Sequence, residues 1–300
     1  MKKQVKGICF AVLLFFVLDR IIGFSLNVGL ERYFGLGEPS KVLLLGHSHL
    51  MLATDKEGLE DMLDCSVSKY CREGVNAIDR KKMLELFYQY DNADSLKVIL
   101  YGVDQFMFTS VRLSENSYTL FYPFMDNKVM DQYIYQMASF SDYLLHKYVC
   151  STRYSDALIN SSLRGWLHNW SNYKFGHLDV EQLISENEKG TQRTISFEQD
   201  LIDAFEETLD FLSKKGIKVV LINTPVAAVL NEYEPESYNK IISYFQNLAK
   251  NNDLIEYLDF NPEYSDKYEI FYDPIHLNPT GQEIISQRIG EYLQEMFAKE

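Results

Sequence analysis

Along residues 41–300, short apolar runs alternate with stretches in which apolar side chains recur every three or four positions. The runs are Lys41–Gly46, Asp64–Tyr70, Lys97–Gly102, Ile217–Asn223 and Leu254–Phe260, and short β-branched or leucine-rich runs of this kind predict strands. Lys41–Gly46 is apolar on both faces, as a central parallel strand must be, whereas Asp64–Tyr70 is the weakest of the five. The intervening spacing predicts helices over 56–63, 79–91, 196–215 and 235–252. Strand and helix alternate as a flavodoxin-like, three-layer α/β/α domain with a parallel sheet requires. At the C-terminal end, Ile284, Ile285, Ile289, Tyr292, Leu293 and Phe297 recur at helical spacing, with Pro279 at the entry and Thr280 and Glu283 spaced as a capping box.

Two stretches break the alternation. Residues 105–195 carry no strong strand signal and are rich in Tyr, Phe, Ser and Asn, which predicts a mostly helical insertion after the third strand, forming a lid or a partner surface. At the other end, Lys2, Lys3 and Lys6 precede an apolar run from Ile8 to Leu18, interrupted by Asp19 and Arg20 and resumed through Phe24. Ile8–Leu18 alone is too short to span a bilayer, but through Phe24 the stretch has about 17 residues, the lower limit for a transmembrane helix. The basic flank places the N-terminal side in the cytoplasm and the rest of the chain outside. No small-x-small cleavage signal follows, so an uncleaved anchor over 1–24 is expected, with a connector over 25–40 and the α/β domain over 41–300. The alternative is a buried amphipathic helix, since two adjacent charges interrupt the span.

Composition narrows the partners. The chain has 29 Lys and Arg against 43 Asp and Glu, a formal charge of -14, and no basic stripe, which excludes a phosphate-binding nucleic-acid surface. The 21 Tyr and 19 Phe suit carbohydrate stacking or ordinary packing. Cys9, Cys65, Cys71 and Cys150 lack the spacing of a thiolate metal site, and Cys65 and Cys71 lie on a strand segment where their side chains would not meet.

The candidate chemistry sits at the two ends of the α/β domain. Gly46, His47, Ser48 and His49 follow the first strand directly, and a side chain at the carboxyl end of a central parallel strand projects into the crevice where such sheets bind ligands. Tyr272, Asp273, Pro274, Ile275 and His276 follow the fifth strand and precede the last helix. With Ser48 as nucleophile, His276 as base and Asp273 as its orienter, the two loops compose a Ser-His-Asp triad.

These blocks resemble the SGNH, or GDSL-like, hydrolases, whose first motif is glycine-x-serine after the first strand and whose last is Asp-x-x-His before the C-terminal helix. Gly46, Ser48, Asp273 and His276 occupy those positions. Within that superfamily the chain looks most similar to membrane-anchored, extracytoplasmic proteins of cell-envelope polymer acylation, of the alginate acetylation and D-alanyl transfer types. The resemblance implies oxyanion donors from the Ser48 amide, from Gly74, and from an asparagine after the third strand. Asp104 stands where that asparagine should be, and an ionised carboxylate cannot donate to an oxyanion, so Asn76 or Gln105 is left to substitute. His47, His49 and Asp104 are then expected to touch substrate.

The expected function is that of an extracytoplasmic serine esterase or O-acyltransferase on a cell-envelope carbohydrate, at a bacterial inner membrane and facing the periplasm. It needs no cofactor or metal; an acyl-ester or carbohydrate substrate and a membrane acyl-donor protein are its expected partners. Two alternatives stand beside it. A catalytically weak scaffold of a polysaccharide acylation complex is motivated by Asp104, and a metal-dependent hydrolase by His47, His49 and His276, whose imidazoles are zinc ligands.

Overall fold

A computed structural model describes residues 2–90, 93–110, 116–189 and 194–299. In chain order its elements are α1 (Lys2–Phe34), β1 (Val42–Gly46), α2 (Ser48–Ala53), α3 (Lys56–Leu63), β2 (Val67–Cys71), α4 (Ala77–Phe87), β3 (Val98–Val103), α5 (Lys128–Met137), α6 (Phe140–Tyr148), α7 (Asp156–Trp166), α8 (Val180–Glu188) and α9 (Gln199–Lys214). They continue with β4 (Lys218–Asn223), α10 (Ala228–Asn231), α11 (Pro235–Asn251), β5 (Ile255–Asp259), α12 (Asn261–Tyr264), β6 (Phe271–Asp273), β7 (His276–Leu277) and α13 (Pro279–Phe297). The chain forms two compact units, one of residues 37–115 with 170–300, the other of residues 1–36 with 116–169.

In the larger unit, β1 to β5 make one parallel sheet in the order β2-β1-β3-β4-β5. This is the parallel α/β architecture expected from the alternation, and all five strands fall where the apolar runs lie. The strands β1 and β3 are buried at every position because both faces are covered. On one face Val42, Leu44, Val98, Leu100, Val220 and Ile222 pack with Leu59 of α3 and Ile285, Ile289 and Leu293 of α13. On the other, Tyr101 and Tyr257 meet Phe205 of α9 and Phe245 of α11. Side chains alternate across a strand, so the two sets of core residues are drawn from the same runs.

Helix α13 begins at Pro279, but its cap is not the one read from the sequence. Asn278 is the N-cap, with its side-chain oxygen accepting from the Gly281 amide at 3.1 Å. Thr280 lies inside the first turn, so it cannot cap with Glu283. Proline at the first helical position leaves the preceding residue as the only one with capping geometry.

In the smaller unit α1 packs along α7. A Cβ on Gly165 would fall 1.8 Å from the Gly29 carbonyl oxygen, so the two backbones approach as only glycines permit. Ser162 and Trp166 of α7 donate to the carbonyls of Leu26 and Ser25, and Tyr154 donates to that of Gly23. Asp19 is buried and accepts the amides of Cys150 and Ser151 at 2.7 and 2.8 Å. Helix α1 runs unbroken through Phe34, so the stretch read as a connector is helical over 25–34, where contacts with α7 sustain it. It is long and apolar enough to cross a membrane. Between β3 and α9 every regular element among the described residues is helical. All four cysteines are free.

Candidate active site

Strand β1 ends at Gly46, and the chain turns directly into α2, whose first residue is Ser48. The preceding residue, His47, is extended, and its Nδ1 accepts the His49 amide at 3.0 Å. Gly46 and Gly102, on neighbouring strands, let α2 lie close to the sheet: a Cβ on either would sit about 3 Å from Leu50 Cβ, at 3.0 and 2.9 Å respectively. Because that atom is fixed to the α2 backbone, Gly102→Ala must displace the helix that starts at Ser48. A loss of about 1–3 kcal/mol in stability is expected from such overpacking. Chemical denaturation checks it.

The opposite side of the site is the β6–β7 hairpin, in which Asp273 pairs with His276. Its turn is pinned where the Ala227 amide donates to the Pro274 carbonyl at 2.8 Å. One Asp273 oxygen accepts the amides of Ile275 and His276 at 3.0 and 2.9 Å, and the other lies 2.7 Å from His276 Nδ1. The remaining ring nitrogen, Nε2, lies 2.8 Å from Ser48 Oγ. A carboxylate facing Nδ1 assigns the ring proton there and leaves the Nε2 lone pair toward the serine hydroxyl. Burial pushes the Asp273 carboxyl upward, but its hydrogen bond and charge interaction with His276, and the Ile275 amide, outweigh it and hold the group below the usual carboxylate range. Ser48, His276 and Asp273 thus form one continuous hydrogen-bonded chain.

Asp104, just past β3, is brought to the same corner. His47 Nε2 donates to its Oδ2, the Phe106 amide donates to its Oδ1 at 2.5 Å, and His49 Nδ1 lies 3.5 Å from Oδ2. Since Nδ1 of His47 accepts, its ring proton is on Nε2, so the His47–Asp104 contact is a charge-assisted hydrogen bond. Burial disfavours the Asp104 anion, but His47 and His49 dominate and hold the carboxyl well below its ordinary range, with a further contribution from Arg80. Burial also pushes the His47 imidazole down, despite Asp104. Both carboxylates bind fewer protons folded than unfolded, so their contribution is complete above the ordinary carboxylate value and is lost progressively as pH falls from there toward their lowered folded values. The unfolding midpoint is therefore expected to drop on acidification from about pH 5 downward, and less steeply in Asp104→Asn than in the native chain.

The remaining candidates separate. Gly74 follows β2 in the left-handed region at φ 72°, which requires glycine, and Arg72 beside it donates its amide to the Gly46 carbonyl at 3.1 Å. Asn76 is the N-cap of α4: its side chain accepts the Asp79 amide and Asp79 accepts the Asn76 amide, a reciprocal capping box. The Asn76 side-chain oxygen is thereby committed to the helix start. Gln105 is fully buried, and neither atom of its amide has a hydrogen-bond partner among the described residues. Among those residues, donor atoms of His47, His49 and Asp104 lie within 4.8 Å of one another, near enough to share one cation. His276 is outside that set because its two ring nitrogens face Ser48 and Asp273.

Arg80 was not anticipated. It is buried, and it donates to the Gly102 carbonyl at 2.6 Å, fixing the end of β3 just before Asp104. The signal was its spacing: Ala77, Arg80, Leu84 and Phe87 share one helical face, and all are buried. An open hollow of about 400 Å³ adjoins Asp273, lined by Tyr272, Pro274 and residues 176–179, 182 and 183. A larger hollow of about 680 Å³ against α13, walled by Tyr173 and Phe175, includes none of Ser48, Asp273 and His276.

The family model described as DltD protein matches residues 179–294, a span that contains Asp273 and His276. The resemblance to SGNH proteins of the D-alanyl transfer type is met by that match, which begins just before α8 and ends in α13. Among solved structures, the C-terminal catalytic domain of peptidoglycan O-acetyltransferase A (OatA) of Streptococcus pneumoniae, carrying a methylsulfonyl adduct, is 12% identical. The alignment covers 86% of this chain and 94% of that domain at a TM-score of 0.38. No curated protein matches.

Proposed function

We propose that the protein is a membrane-anchored acyltransferase or acyl-ester hydrolase of the cell envelope, working through Ser48, His276 and Asp273. The observation that carries this reading is the hydrogen-bonded chain from Ser48 Oγ through both nitrogens of His276 to Asp273. The DltD match over the segment bearing two of these residues supports the acylation class. Helix α1 supports an anchor, with residues 1–24 in the membrane, 25–40 leading out of it, and the α/β domain over 41–300 on the extracytoplasmic side.

In this mechanism Ser48 Oγ attacks the carbonyl carbon of an acyl ester while His276 Nε2 takes the hydroxyl proton, and Asp273 stabilises the resulting imidazolium. The tetrahedral oxyanion collapses, expelling the leaving alcohol with the proton from His276 and leaving Ser48 acylated. A sugar hydroxyl of an envelope polymer, or water, then gives up its proton to His276 and takes the acyl group, restoring the serine. A membrane acyl-donor protein would supply the ester, and the hollow at Asp273 offers the acceptor an approach.

The Ser48 and Gly74 amides are the proposed oxyanion donors, with the buried Gln105 amide as the side chain that replaces the missing asparagine. Gln105→Leu is expected to raise the thermal midpoint, because a buried amide without a partner costs about 1–3 kcal/mol. The same substitution should lower kcat roughly 10²-fold or more. Higher stability with unchanged kcat would remove Gln105 from the reaction.

The decisive experiment treats the protein with a serine-directed phosphonate and with a chromogenic acetyl ester. Labelling at Ser48 and turnover, both lost in Ser48→Ala, are expected. Neither occurring in the native chain would turn the reading to a scaffold, which the engagement of Asp104 by His47 favours. Turnover that survives in Ser48→Ala and disappears with a chelator would favour a cation held by His47, His49 and Asp104.

A further inference from the structure

Helix α6 has nine residues and buries none of them. Phe140, Leu144, Leu145 and Tyr148 lie within one arc of its surface, while Asp142 and His146 lie on the other side and Lys147, beside Phe140, is held by Asp131. The apolar arc faces outward: Phe140, Leu145 and Tyr148 are 69%, 49% and 61% exposed. A helix that shows its apolar stripe to the surroundings and sinks nothing into a core is built for a surface that is itself apolar.

The level of that surface follows from α1, on the reading proposed above that α1 spans the membrane with its lysine end inside. Lys6 and Asp19 are 13 positions apart (19 − 6), about 20 Å of helix rise, whereas the hydrocarbon core is about 30 Å thick. Asp19 therefore sits inside the core, with roughly 10 Å of hydrocarbon beyond it. The residues filling that remainder agree, since Ile21, Ile22 and Phe24 are 56%, 48% and 72% exposed. Asp19 is turned into protein, as a charge at such depth must be, whereas Arg20 is exposed and is satisfied by the bonds its guanidinium makes. Asp19 takes the Cys150 and Ser151 amides, and Arg20 donates to the Tyr148 carbonyl at 3.3 Å and lies 3.0 Å from Cys150 Sγ. The C-terminal end of α6 is thereby tied to a point of α1 that is still surrounded by lipid, and α6 is only about 12 Å long.

We propose that α6 lies in the outer leaflet of the bilayer crossed by α1, with Phe140, Leu144, Leu145 and Tyr148 seated among the acyl chains and Asp142 and His146 turned away. Lipid is the occupant because the apolar arc continues the lipid-facing surface of α1 across the Asp19 and Arg20 bonds. Tyr135, 59% exposed on α5, and Tyr148 are aromatic residues of the type that settle at a membrane interface.

Depth-dependent quenching tests this. The full chain, as Leu13→Trp, Phe140→Trp or Asp142→Trp, is placed in nanodiscs of phosphatidylcholine brominated either near the headgroup or near the chain ends, and the native emission is subtracted. An interfacial helix sinks its apolar face about 5–10 Å into the headgroup and acyl boundary, so the Phe140→Trp emission should fall about twofold, more with shallow bromines than deep ones. Leu13→Trp should be quenched more by the deep ones, and Asp142→Trp by neither. If Leu13→Trp is quenched while Phe140→Trp behaves like Asp142→Trp, α6 is not in lipid and the inference fails with the anchor intact. If Phe140→Trp is protected only in native membranes, the arc belongs to a protein partner and the inference also fails. Loss of quenching at Leu13→Trp as well overturns the spanning reading on which it rests.

Discussion

His276→Ala is expected to lower kcat for an activated acetyl ester by about 10⁴- to 10⁶-fold, with Ser48→Ala costing a similar factor and the double variant no more than the larger single loss. The reason is that each group is useful only through the other. Without the imidazole, the Ser48 hydroxyl has no acceptor for its proton; without the hydroxyl, His276 Nε2 has nothing to activate at the carbonyl. Independent contributions would multiply, so a double variant slower by the product of both factors would sink the triad. Single-turnover kinetics on the four proteins decides it. Their thermal midpoints should remain close, because Ser48 is only half-buried and His276 lies on a short hairpin at the edge of the core.

Asp104→Ala should cost about 1–3 kcal/mol of stability for each buried donor it leaves without an acceptor. It would orphan the His47 Nε2 proton and the Phe106 amide together, both enclosed with the carboxylate. Because His47 also accepts the amide of His49, the loss reaches the turn that presents Ser48. Asp104→Asn separates holding from donation. It retains an oxygen for His47 but not acceptors for every donor, so a milder loss of stability and a lower kcat are expected. An increase in kcat would instead mean that the position serves the oxyanion, as the asparagine of the resembled family does. Urea denaturation and steady-state kinetics on the two variants answer both questions.

The sheet was legible because its strands are buried on both faces, and that leaves continuous apolar runs such as Val42–Leu45 and Val219–Ile222 which little else produces. The positions of Ser48, Asp273 and His276 could be read as strand-end loops for the same reason. Pairwise hydrogen bonding could not. Asn76 offered itself as an oxyanion donor on composition alone, whereas its partner Asp79, three positions on, marks a capping box of the kind sought instead at Thr280 and Glu283. Asp104 read as an anomaly in a motif; that it accepts from His47 depends on β1 and β3 being neighbours, which sequence order does not state. The extent of α1 was underread because residues 25–34 owe their helix to α7, a partner more than a hundred positions away in the chain.

The split of the sheet along the chain has a consequence for biogenesis. Strands β2, β1 and β3 are complete once Val103 has been made, yet β4, their next neighbour, starts only at Lys218, and Asp273 and His276 come later still. Translation at about 5–20 residues per second leaves a half-sheet whose β3 edge is unpaired for many seconds. Such an edge invites pairing with another nascent chain. Throughout that interval Ser48 is made but His276 is not, so on the proposed mechanism the site is assembled only once the β6–β7 hairpin has followed.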